Sequence, residues 1–133
     1  MFDVLNAGAS GLVAQRTRMD TIAQNVLNIN TTRNEKGEKI PFRRSLVQFQ
    51  AGNGQGGAGV HVKSIDKDPS PFNKKYDPGH PDADPVTGIV QMPNIDLSIE
   101  YVNMLEASRA YEANITMMET AKQMFSSALR LIA

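Results

Sequence analysis

No cysteine occurs among the 133 residues, which excludes disulfides, thiolate metal sites and a cysteine nucleophile. Neither charge prevails: 14 Lys plus Arg stand against 14 Asp plus Glu, so no overall field draws the chain to nucleic acid or to an anionic membrane. No apolar run approaches the roughly 18 residues of a membrane span, so direct membrane insertion is not expected. The opening "MFDVLNAGASGLVAQ" has no basic stretch ahead of an apolar core, so a cleavable leader is not expected either. Hydrolase chemistry lacks its signature too. There is no GxSxG, neither histidine has a recognisable serine and carboxylate, and "GNGQGG" lacks the Lys and Ser/Thr of a phosphate loop. The expectation is a protein that is not an enzyme and that takes no cofactor.

What is present is distributed unevenly. Residues 31–93 hold all seven prolines and eight of the ten glycines, a density of breakers that no long helix survives. Within that zone "FRRSLVQFQ" and "GVHVKSI" read as strands, and the intervening "AGNGQGGAG" suits a flexible hairpin tip. The segment "DPSPFNKKYDPGHPDADPVTG" reads as an irregular loop of turns.

The two ends are helical. Leu5, Leu12, Met19 and Val26 recur every seven residues, with Ile22 and Ile29 three positions after the last two, which predicts a helix over residues 3–30. Gly8 and Gly11 weaken its first half, since each costs about 1 kcal/mol relative to alanine. Residues 94–133 contain no glycine or proline, and Leu97, Met104, Tyr111, Met118, Phe125 and Ile132 repeat every seven without a break. Asn94 or Asp96 can cap this helix, Glu100 lies near its positive end and Arg130 near its negative end. A helix of that length is about 50 Å long, more than the middle zone can cover. The expected fold is therefore mainly α with a small β-containing insertion. An N-terminal helix (1–30) and a C-terminal helix (94–133) pair as a coiled coil around an inserted segment (31–93).

Sharper chemical readings are weaker. Asp77, His80, Asp82 and Asp84 supply metal-ligand types, but their spacing matches neither an EF-hand nor HExxH, and Pro78, Pro81 and Pro85 favour a rigid turn-rich loop. No metal site is expected there, and a metal-dependent enzyme is the minor alternative. His61 reads as a surface or packing residue. Arg43 and Arg44 read as a charged strand edge that discourages aggregation. The methionines read as adaptable core. A second alternative is a free-standing binding module that uses the helical pair as a docking groove.

Both ends also carry a resemblance. "SGLVAQRTRMDTIAQNVLNINTT" resembles the N-terminal signature of bacterial flagellar axial proteins, the rod, hook and hook-filament junction group. The matching positions are Ser10, Leu12, Ala14, Met19, Ile22, Asn25, Val26, Asn28, Asn30 and Thr31. "VNMLEASRAYEANITMMETAKQMFSSAL" is similar to the C-terminal signature, with Ala107, Ser108, Arg109, Tyr111 and Asn114 in place. "YDPGHPDADPVTGIVQMPNID" resembles the middle of proximal-rod members. The resemblance implies a structural subunit of the basal-body rod, in the periplasm, that helps transmit torque from the membrane rotor to hook and filament. It implies partners: other rod proteins, copies of itself, the type III export apparatus, and membrane-ring base or export-gate adaptor proteins. The implied interface joins Leu12, Met19, Ile22 and Val26 to Met104, Tyr111, Ile115, Met118 and Phe125. Asn25, Asn28, Asn30 and Arg109 would set register, and the Asn-rich run would bond local backbone where the helix ends and the chain turns outward.

Overall fold

The computed structural model describes residues 2–133. Met1, the first residue of the expected N-terminal helix, lies outside the described residues. Two long helices bracket four short strands: α1 (Phe2–Leu27), β1 (Ser45–Ala51), β2 (Val60–Lys67), β3 (Asn73–Tyr76), β4 (Ile89–Met92) and α2 (Leu97–Ile132). Among the described residues no helix is long and apolar enough to cross a membrane.

The boundaries have local causes. Of the two candidate caps, Asp96 is the one that starts α2, accepting hydrogen bonds from the Ser98 and Ile99 backbone N–H groups. At the far end of α1 the chain tightens: Ile29 N–H donates to Val26 O and Thr31 N–H to Asn28 O, so regular helix stops at Leu27 and not at residue 30. The side chain of Asn28 completes this ending, donating to Gln24 O at 2.8 Å and accepting from the Thr31 hydroxyl at 3.1 Å.

β1 and β2 form an antiparallel hairpin with a bulge at Gln48 and Phe49. β3 and β4 form a second antiparallel pair, which corrects the reading of 68–88 as turns alone. All four residues of β3 are exposed, so "NKKY" offers no alternation of apolar and polar positions to read. The pair is fixed from the inside by Val90, which is fully buried, and by Asn73, whose amide donates to Pro93 O and Ile95 O.

α1 is the element on which α2 and the β1–β2 hairpin lie. One of its faces meets α2 antiparallel, with Gly8 against Met118, Gly11 against Asn114, Arg18 against Glu106 and Asn25 against Glu100. The adjoining face carries the hairpin, with Ser10 beneath Val60, Ala14 beneath Val60 to Val62, and Thr21 near Ser45 to Val47. Crowding from two sides explains why its buried residues are Gly8, Gly11, Ala14, Thr21, Ile22 and Asn25, mostly small or polar. The glycines expected to weaken the helix are points of closest approach. A Cβ on Gly8 would stand 2.5 Å from Met118 Cγ, and one on Gly11 would stand 2.7 Å from Asn114 Nδ2.

That geometry gives a sign reversal. Gly→Ala in a free helix stabilises by about 1 kcal/mol, but overpacking costs about 1–3 kcal/mol. Gly8→Ala is expected to lower the urea midpoint, and Gly8→Ala with Met118→Ala to recover part of the loss relative to Met118→Ala alone. A Gly8→Ala midpoint above the parent's would contradict the contact.

Candidate assembly interface

Two polar side chains, Asn25 and Glu100, are among the most completely buried of the described residues. Asn25 is buried in the last turns of α1 and makes a two-way bond with the main chain of Ser45: Asn25 Nδ2 donates to Ser45 O and Ser45 N–H donates to Asn25 Oδ1, both at 2.9 Å. The same Nδ2 reaches Glu100 Oε2 at 3.3 Å. Glu100, in the first turn of α2, is only 1% exposed, and its other oxygen receives Arg44 Nε. Arg44 continues to Asp68 Oδ2 at 3.3 Å, and its main-chain O accepts from Asp68 N–H at 2.8 Å. Asn94 closes the circuit, accepting from Arg44 N–H and donating to Asp68 O and Ser70 O. The start of each of β1 and α2, the end of α1 and the exit of β2 thus meet at one set of side chains. Hydrogen bonds from Ser70, with Arg44 adding to them, hold the Asp68 carboxyl below the usual carboxylate range.

Two readings of the sequence are corrected here. Arg43 and Arg44 are not a charged outer edge. Arg43 stacks on Phe72 at 4.2 Å from the ring centre while donating to Asp68 O and Ser70 O, and Arg44 is the hub of the buried circuit. Asn25 does not bond backbone near its own helix end but reaches twenty residues ahead. The run of asparagines therefore divides: Asn25 is a long-range latch, Asn28 ends the helix, and Asn30 is exposed.

A second clasp joins the loop after α1 to the 77–88 loop. Asp82 accepts from the Thr32 hydroxyl at 2.6 Å and from Arg33 Nε at 2.7 Å, so both of its oxygens are taken. His80 Nδ1 accepts from Asp82 N–H and Asp84 Oδ1 from Val86 N–H. These groups serve the loop's own turns. Among the described residues no group of three His, Cys, Asp or Glu is placed to hold a metal ion. Bonds from Arg33 and then Thr32 hold the Asp82 carboxyl at about 2.

The expected interface residues fall into three sets. Ile22 is buried. Leu12, Met19, Val26, Met104, Tyr111, Ile115 and Met118 are half-buried along the two facing helices. Phe125 and Arg109 are exposed. By the pairing of Gly8 with Met118, α2 from about Phe125 onward runs past Phe2, and Leu129 (51%), Leu131 (88%) and Ile132 (84%) stand in solvent. A second uncovered patch, Ile99, Tyr101, Val102 and Leu105, lies on the first turns of α2. Sequence reasoning missed Asp68, read Arg44 only as edge charge and Asn94 only as a candidate cap, and gave Glu100 only a dipole role. One signal was available: Glu100, Ala107 and Asn114 are themselves seven apart, a second register beside the large apolar one.

Comparison with known families agrees with this architecture at both ends. Residues 5–33 match the family described as flagella basal body rod protein, and residues 86–131 match the C-terminal region described as flagellar basal body rod FlgEFG protein. The chain belongs to the flagellar basal-body rod protein family. Within it, similarity extends over the whole length to flagellar basal-body rod proteins FlgC. That of Bacillus subtilis is 41% identical, over 98% of this chain and 97% of its own. That of Borreliella burgdorferi is 40% identical (99% and 97%), and that of Salmonella typhimurium 37% identical (98% and 97%). This chain is accordingly a FlgC-like structural component of the flagellar basal body.

Two outcomes test the geometry. Arg44→Met leaves Glu100 buried without its cation, and is expected to cost about 3–5 kcal/mol by urea denaturation. Adding Glu100→Leu should return much of that loss, because the unpaired charge is gone; no recovery would contradict the pairing. The Asp82 clasp has a defined pH window. Its folded value lies below the ordinary 3.8, so its stabilisation is complete above about 4 and is lost as pH falls toward about 2. Amide exchange at residues 32–33 and 80–84 should be unchanged by the carboxylate between neutral pH and about 5. Corrected for the intrinsic rate, exchange there should then rise in the parent as pH falls from about 4 toward about 2, whereas Asp82→Asn should raise it already at neutral pH, with the difference from the parent vanishing near pH 2.

Proposed function

We propose that this chain is a subunit of the proximal rod that polymerises through its terminal helices, forming part of the shaft that carries torque from the membrane rotor to hook and filament. In the assembled rod α1 and α2 would act as a coiled coil, with Leu12, Met19, Ile22 and Val26 facing Met104, Tyr111, Ile115, Met118 and Phe125. Asn25, Asn28, Asn30 and Arg109 would set the register between neighbouring helices. Partners are copies of itself and other rod proteins, with membrane-ring base or export-gate adaptor proteins at the proximal end. Delivery is through the type III export apparatus to the periplasm. No catalysis and no nucleic acid enter this reading.

The observation that carries it is the unsupported end of α2. Some eight residues extend beyond the last turn that α1 can cover, and they carry Phe125, Leu129, Leu131 and Ile132. Apolar side chains exposed together on a helix end are surfaces for another chain, and a helical neighbour is the partner whose ridges fit them. The half-buried residues along the facing helices offer a continuous apolar flank to the same neighbour.

Leu129→Asp tests the reading without touching the fold, because that side chain meets nothing on α1. The isolated variant is expected to keep its helix content and to lie within about 0.5 kcal/mol of the parent, while purified basal bodies contain none of it and cells expressing it as the only copy do not swim. Normal incorporation would count against assembly through the α2 end.

A further inference from the structure

Of the ten asparagines in the chain, Asn53 alone is followed by glycine. It sits at the tip of the β1–β2 hairpin, where the turn has fixed its side chain. Asn53 Oδ1 accepts two backbone N–H groups, from Gln55 and from Gly57, each at 2.8 Å. Its Nδ2 lies against Gly57, where an added Cβ would stand 2.4 Å from it. Gly54 has a φ of 82°, and nothing lies within 4 Å of the place where its side chain would be, so this side of the turn is open. Two N–H donors converging on one carbonyl oxygen are the arrangement that acyl-transfer sites use to hold a developing oxyanion.

We propose that Asn53–Gly54 is a site of intramolecular self-modification, in which the Gly54 nitrogen attacks Asn53 Cγ. The Gly54 N–H proton passes to solvent base as the N–Cγ bond forms, and the negative charge gathers on Oδ1 beneath the Gln55 and Gly57 N–H groups. Collapse breaks the Cγ–Nδ2 bond; Nδ2 takes a proton from water and leaves as ammonia. The product is a five-membered imide. One water then opens it at either of its two carbonyl carbons, giving aspartate or isoaspartate at position 53 and one negative charge where there was none. Water and the chain are the only reactants.

The outcome alters how the hairpin sits on α1. Gly52 N–H donates to Gly59 O at 2.8 Å, Gly59 at φ 111° lies over Ser10, and Val60 N–H reaches the Ser10 hydroxyl at 3.1 Å. The isoaspartate product adds a methylene to the main chain inside that closed loop, so the tip can no longer meet Gly59 and Ser10 together.

The test uses the whole folded chain, incubated at mildly acid and mildly alkaline pH, beside the same chain in urea. Mass spectrometry follows the peptide spanning residues 51–60, with Asn34, another exposed-turn asparagine, as internal comparison. The expected result is conversion at Asn53 that rises with pH, runs roughly tenfold faster folded than in urea, far outpaces Asn34, and is suppressed in Gly54→Ala. A rate in the folded chain no greater than in urea, or no greater than at Asn34, overturns the proposal.

Discussion

One buried charge ties the two helices to the first strand. Glu100 enters the interior at the first turn of α2, and its two oxygens are shared between Arg44, on the strand side, and Asn25, on α1. A carboxylate taken out of water is tolerated only when its partners are in place, so the end of α1, the first residue of β1 and the start of α2 must come together before any of them is stable there. Asn25 adds the constraint that a charge pair alone lacks: its two-way bond to the Ser45 backbone fixes both position and direction of the strand. Small residues then let the helices and hairpin approach closely along α1, and at Gly8 and Gly11 an added Cβ would meet Met118 and Asn114.

The arrangement divides the chain by mechanical role. At the junction the polar groups are paired, and Val90, Ile95 and Ala107 are buried. Along α2 apolar side chains are uncovered at both ends, Ile99, Tyr101, Val102 and Leu105 beside the junction and Leu129, Leu131 and Ile132 beyond the reach of α1. Such uncovered faces suit a subunit of a polymer. The junction sets the angle between the inserted segment and the two helices inside each copy, while under the proposed function the open end of α2 is where neighbours would add.

Much of the architecture was legible because it is periodic or punctuated. The seven-residue series and the lack of breakers after Asn94 gave α2 almost to the residue, and the glycine-rich run gave the β1–β2 tip. The junction was not legible, because its parts are single polar residues separated by tens of positions, each with an ordinary local explanation. Arg44 next to Arg43 looked like surface charge, Glu100 like a dipole partner, and Asn25 like one of several helix-ending amides. Likewise "NKKY" is a strand only because Ile89–Met92 pairs with it. Long-range pairing, and not local propensity, decides these positions.

Hydrogen exchange compared between the free chain and assembled basal bodies tests the central claim, that a closed junction carries an end completed only by neighbours. The account predicts slow and equal exchange in both states for residues 42–48 and 97–103, and fast exchange for 125–132 in the free chain that becomes slow on assembly. Residues 125–132 already slow in the free chain, or a junction that becomes protected only in the assembly, would contradict it.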